Sequence, residues 1–139
     1  METGEYSGNP PDLSQAYEEG VEPYTFALTY RDVDVDRGPT IHVFGPVNGT
    51  REEILRFDCF EKNPHYHLGW SYRDERFVKI NDPEPFQWAI ECLKNSFEDF
   101  VARANADLDL TETSRREICE VLDRILAKAE QLSAQQRSS

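Results

Sequence analysis

The feature that most constrains this chain is a change of period near residue 82. Between Tyr24 and Ile80 apolar side chains recur at every second position, and from Phe86 onward they recur at spacings of three and four. The first period is that of half-buried strands, the second that of helices with one covered face.

The strand-like region divides into five segments. Tyr24 to Asp32 sets Phe26, Leu28 and Tyr30 against Thr25, Thr29 and Arg31, and Thr40 to Phe44 sets Ile41 and Val43 against His42. Ile54 to Phe60 sets Leu55, Phe57 and Cys59 against Arg56 and Asp58. His65 to Tyr72 sets Tyr66, Leu68, Trp70 and Tyr72 against His65, His67, Gly69 and Ser71, and Arg76 to Ile80 forms a short fifth segment. Their connections are short and polar, as antiparallel neighbours prefer.

Asp82-Pro83 predicts a helix start, because Asp caps free amides and Pro is tolerated in the first turn. That helix runs to about Ala104 with the stripe Phe86, Ile90, Leu93, Phe97 and Val101. Ser114 and Glu117 match a capping box that opens a second helix to about Gln135, with the stripe Ile118, Leu122, Ile125, Ala129 and Leu132. This stripe suits either covering the sheet or pairing with the same helix of a second copy, so a homodimer through the C-terminal helix is one expectation. The fold class expected is α+β: an antiparallel β-meander of about five strands with two C-terminal helices packed on one face.

Residues 1–22 mix Gly, Ser, Asn, Pro and acids and read as a loosely held acidic arm, leaving 23–139 as a single α+β domain. No apolar run approaches the roughly 20 residues needed to cross a bilayer. The polar N-terminus lacks the basic region and apolar stretch of a secretory signal, so the expected location is cytoplasmic, with no membrane partner. Cys59, Cys92 and Cys119 stand far apart and odd in number, which fits reduced, buried thiols better than disulfides or zinc ligands.

The net charge of −12 disfavours nucleic-acid binding, but it is uneven. Residues 1–36 hold nine acids against one Arg, net −8, whereas Arg51 to Lys79 balances six acids against six bases.

Strand parity singles out the candidate site. If Leu55, Phe57, Tyr66, Leu68 and Trp70 face the core, then Arg56, Asp58, His65 and His67 face the other way, and His42 joins them. Taking Glu61-Lys62-Asn63-Pro64 as a four-residue hairpin loop pairs Phe60 with His65 and places Asp58 across from His67, with Arg56 opposite Gly69. Asp beside His fixes an imidazole tautomer and raises its basicity, while Arg presents a planar fork to phosphate. The competing reading is a cross-strand ion pair on a solvated sheet face. A metal site on His42, His65 and His67 is a further alternative, ranked last, and neither a metal nor a cofactor is expected.

Asp32-Val33-Asp34-Val35-Asp36-Arg37-Gly38 invites comparison with a calcium loop. Its Gly comes one position late and Val43 stands where a Glu is required, so it reads as a charged hairpin turn. There is no glycine-rich phosphate loop, Gly-x-Ser-x-Gly elbow or Cys-x-x-Cys pair.

At Arg56-Phe57-Asp58-Cys59-Phe60, followed by Pro64-His65-Tyr66-His67 and a Pro-led helix at Asp82-Pro83, the chain resembles small prokaryotic domains of unknown function. More remotely it is similar to the TumE-type toxins of bacterial toxin–antitoxin pairs, over roughly residues 24–95. That resemblance implies RNA cleavage, and it reaches only Arg56, Asp58, His65 and His67. The acidic balance departs from the electropositive groove such an activity needs.

The leading expectation is an interaction or regulatory module without catalysis, acting on a protein partner. The alternative is a metal-independent endoribonuclease in which His67 is the base oriented by Asp58, His65 the acid, and Arg56 the phosphate holder, with RNA its substrate.

Overall fold

The computed structural model describes residues 15–70 and 73–138. Six strands, β1 (Tyr17–Val21), β2 (Tyr24–Asp32), β3 (Arg37–Val47), β4 (Thr50–Asp58), β5 (His65–Trp70) and β6 (Arg73–Lys79), precede two helices, α1 (Pro85–Arg103) and α2 (Glu112–Ser138). The strands form one antiparallel sheet in chain order, a pure meander. The α+β class and the meander agree with the sequence pattern. Ser71 and Tyr72, expected to end a strand, and the first fourteen residues lie outside the described residues.

Strand β1 is additional to the five expected, and it falls in the stretch read as an arm. It pairs with β2 along its whole length and buries Val21 in the core, and α2 adds a further link: the Glu19 carboxylate accepts from two nitrogens of Arg124, at 2.6 to 3.0 Å. Lys128 of α2 lies over the Tyr17 ring. These are contacts between residues more than a hundred positions apart, invisible to a local period.

Both helices cover one face of the sheet. Phe26, Leu28, Ile41, Val43, Leu55, Phe57 and Leu68 meet Ile90, Leu93, Phe97 and Val101 of α1 and Ile118, Leu122 and Ile125 of α2 in one buried core. Phe97 meets Tyr24 edge-on at 5.0 Å, and Phe57 stacks on Tyr66 at 5.1 Å. Burying side chains of this size contributes about 1.5–3 kcal/mol each before chain entropy is counted. The α2 stripe from Ile118 to Ala129 is thus buried within the chain itself.

The helix starts differ from the expected residues. α1 has Pro85 in its first turn and Glu84 at its N-cap, while Asp82 accepts the Glu84 N–H at 2.9 Å and shapes the turn before the helix. At α2 the capping box is Thr111 and Ser114: the Ser114 N–H donates to Thr111 Oγ1 at 3.0 Å, and the Thr111 N–H donates to Ser114 Oγ at 2.8 Å. Ser114 is therefore the third helical partner of the box and not its first residue. Among the described residues no helix is long and apolar enough to cross a membrane.

A buried polar cluster on the second face of the sheet

The parity argument holds for β3, β4 and β5, and the register does not. Phe57 pairs with Tyr66, Arg56 with His67 and Asp58 with His65, so the hairpin is slid by two residues from the expected pairing of Asp58 with His67. A slip of two preserves which face each side chain occupies, whereas a slip of one inverts it. The difference arises in the β4–β5 turn, where β4 ends at Asp58 and six residues, not four, connect the strands. The turn is organised by the Asp36 carboxylate, which accepts the backbone N–H groups of Lys62 and Asn63 at 2.9 and 2.8 Å. Asp36, which the sequence groups with a calcium-like loop, instead nucleates the turn that delivers His65. Burial raises its pKa, but the amides of Lys62, Asn63, Arg37 and Glu61 outweigh that and hold it below the usual carboxylate range.

All four candidate residues meet at Asp58. His65 Nε2 lies 3.0 Å and His67 Nε2 3.3 Å from Asp58 Oδ2, and Arg56 Nε is 3.4 Å from the same oxygen. The other oxygen, Oδ1, accepts Thr40 Oγ1 at 2.9 Å and Arg31 Nη1 at 3.0 Å. Burial pushes the Asp58 pKa up, but hydrogen bonds from His65 and His67 and the charge of Arg56 outweigh it, holding the carboxyl well below its ordinary value. Asp58 is therefore a stable anion and not a proton donor at neutral pH.

A second buried chain of contacts adjoins the first. His42 Nδ1 lies 2.8 Å from Glu53 Oε2, His42 Nε2 lies 2.9 Å from Thr29 Oγ1, and Arg56 Nη1 donates to Glu53 Oε1 at 3.0 Å. Arg56 thus joins the two carboxylates. His42 is on the expected face but its ring is committed to Glu53 and Thr29, so it does not join His65 and His67 in one ligand set.

Glu53 is the residue that sequence parity misses, since in an unbroken strand it would share a face with Leu55. A β-bulge between Val43 and Phe44 places Leu55 opposite Val43 and Glu53 opposite Phe44, with Ile54 as the extra residue. The bulge shifts the phase and turns Glu53 toward His42 and Arg56. Its sequence trace is the consecutive apolar pair Ile54-Leu55, which breaks the alternation. Gly45 accommodates the crowding there, since a Cβ would stand 2.7 Å from the Tyr24 ring and 3.0 Å from Ile54.

The face is also not the solvated surface expected of it. Arg56 is 1% exposed, Asp58 2%, His42 0% and His67 7%. Aromatic rings border the cluster: Phe77 stacks on His65 at 4.4 Å and meets His67 edge-on at 5.5 Å, while Phe60 meets His65 at 5.8 Å. An isolated surface ion pair is therefore the wrong description; this is an ionic network under cover, where an unmatched charge is expensive. The three cysteines are free, and burial pushes the Cys59 thiol far up, so it is no nucleophile.

The chain is thus a six-stranded meander with helices on one side and a buried His/Asp/Arg/Glu network on the other. It belongs to the family described as domain of unknown function DUF7700, which matches residues 21–129 and so spans β2 to β6, α1, most of α2 and the whole polar cluster. No curated protein and no solved structure matches it.

Proposed function

We propose that this domain works by docking a protein partner and carries no catalysis of its own. The observation that supports this reading is the burial of Arg56 and Asp58, at 1% and 2% exposed. A base, or a guanidinium that holds phosphate, must come within hydrogen-bond reach of its substrate, and a polynucleotide is too large to enter beneath Phe60 and Phe77. The tip between β2 and β3 is the better candidate for contact. There Val33 and Val35 are exposed beside Asp32 and Asp34, an apolar pair in an acidic setting. With a net charge of −12 the chain suits a basic partner.

A ribonuclease reading has one observation in its favour, the convergence of Arg56, His65 and His67 on the Asp58 carboxylate. Incubating a mixed RNA pool with the wild type and with His67→Ala separates the two. The expected result is no cleavage above a buffer control by either protein. Wild-type cleavage that disappears in a folded His67→Ala protein overturns the docking reading and installs the nuclease.

A further inference from the structure

We propose that Asp58, His65 and His67 form a site for one divalent transition-metal ion of the zinc type, bound through Asp58 Oδ2 and the two imidazole Nε2 atoms. The site stands whether or not the domain docks a partner.

The first argument is the tautomer of His65. Its Nδ1 lies 2.8 Å from the backbone carbonyl of Asn63, and only an N–H makes that contact. A neutral His65 then carries a bare lone pair on Nε2, aimed at the Asp58 carboxylate 3.0 Å away. Two acceptors face each other. Either a second proton or a cation must lie between them, and a carbonyl that fixes Nδ1–H while Nε2 points at the ligand set is the usual outer partner of a metal-bound histidine.

The second argument is spacing. One ligand atom from each of the three residues lies within 4.8 Å of the others, and both imidazoles approach the same oxygen, at 3.0 and 3.3 Å. Ligands about 2.0–2.2 Å from a tetrahedral ion stand roughly 3.3 Å apart. Both imidazoles are thus already at about coordination separation from the carboxylate oxygen.

Orientation is supplied from outside the ligand set. Thr40 and Arg31 hold Asp58 Oδ1, which turns Oδ2 toward the imidazoles. The Asn63 carbonyl that anchors His65 is itself placed by the Asp36 carboxylate, which accepts the Asn63 N–H. Arg56, the remaining neighbour of Oδ2, keeps Glu53 as a partner at 3.0 Å when an ion occupies that oxygen.

Charge permits the exchange. Within the cluster Glu53 and Asp58 balance Arg31 and Arg56, so a divalent ion adds the same charge as two imidazolium protons. Two nitrogens and one oxygen are too few and too soft for calcium or magnesium, and they suit zinc, cobalt or ferrous iron. Access runs past Phe77, which is 40% exposed and lies against both rings.

The test uses the full chain stripped with a chelator. With only three histidines in the protein, selective imidazole ¹⁵N spectra read each ring separately. One equivalent of zinc is expected to shift Nε2 of His65 and His67 while leaving His42 in place, and cobalt is expected to give visible absorption of tetrahedral intensity at one ion per chain. His67→Gln should weaken zinc binding at least about 100-fold, whereas a Cys92→Ser/Cys119→Ser protein should bind as the wild type does. Should His67→Gln fail to fold, the wild-type spectra decide alone. Zinc that leaves the His65 and His67 signals unmoved, or that binds only while Cys92 and Cys119 are present, overturns the site and assigns the two Nε2 positions to protons.

Discussion

Phe57 and Arg56 are neighbours in β4 and both are almost completely covered, yet they point to opposite sides of the sheet. Phe57 packs among Tyr66, Trp88 and Phe100, where one ring shares its contacts with several others. Arg56 bridges Glu53 and Asp58, where each charge is tolerated only because its partners are present. The helix face is held by area removed from water, a quantity that changes by degrees. The second face is held by matched charges in a low dielectric, so losing one partner exposes the full desolvation penalty of the others.

The largest expected effect breaks this comparison most directly. Arg56→Met keeps volume and apolar stem but leaves Glu53 and Asp58 without their shared cation, and should cost about 3–5 kcal/mol. Leu93→Met on the helix face keeps volume equally well and should cost less than about 1.5 kcal/mol. Urea midpoints of the two proteins measure both. Similar losses would mean that the second face behaves as ordinary packing.

An intermediate effect concerns Asp36, whose pKa is lowered in the folded protein. A lowered folded pKa adds stability above the unfolded value near 3.9, and that stability is lost as pH falls through the folded pKa. Asp36→Asn should therefore lose about 1.5–3 kcal/mol at pH 7, the range for hydrogen bonds to a charged group. Its deficit against the wild type should begin to narrow as pH falls below the unfolded value of about 3.9, and close only as pH passes the lowered folded pKa, where the wild-type carboxyl takes up its proton. Urea titrations from pH 7 down to pH 3 follow the gap; a deficit constant over that range would show that the amides do not hold a charge.

The smallest effect lies at the edge of the sheet. Glu19→Gln removes the partner of Arg124, whose side chain is more than half exposed, and the interaction is open to salt. Thermal melts should fall slightly in dilute buffer and coincide with the wild type in about 0.5 M salt. A persistent drop at high salt would show that β1 is held more tightly to α2 than an exposed pair allows.

The sequence carried much of the fold. Alternation assigned Arg56, Asp58, His65 and His67 to one face and Phe57, Tyr66 and Leu68 to the other, because a strand leaves each side chain only two directions. The helical stripes, from Ile90 to Val101 and from Ile118 to Ala129, gave both helices and their buried sides for a similar reason. Less was legible wherever a single residue altered the phase. Ile54 inserts into β4 and turns Glu53 into the cluster, and the Asp36 carboxylate lengthens the β4–β5 turn so that Asp58 meets His65 and not His67 across the ladder.

By itself, then, the sequence determined which side chains can meet, since backbone pleat and helical pitch are local properties that every residue obeys. Only the tertiary structure decided how closely they meet and how far from water. β1 is linked to α2 by Glu19 and Arg124, which are separated by 105 positions, and Asp58 draws its partners from four different strands. Burial of a charge is a property of all its surroundings together, and a period read along one strand contains only that strand.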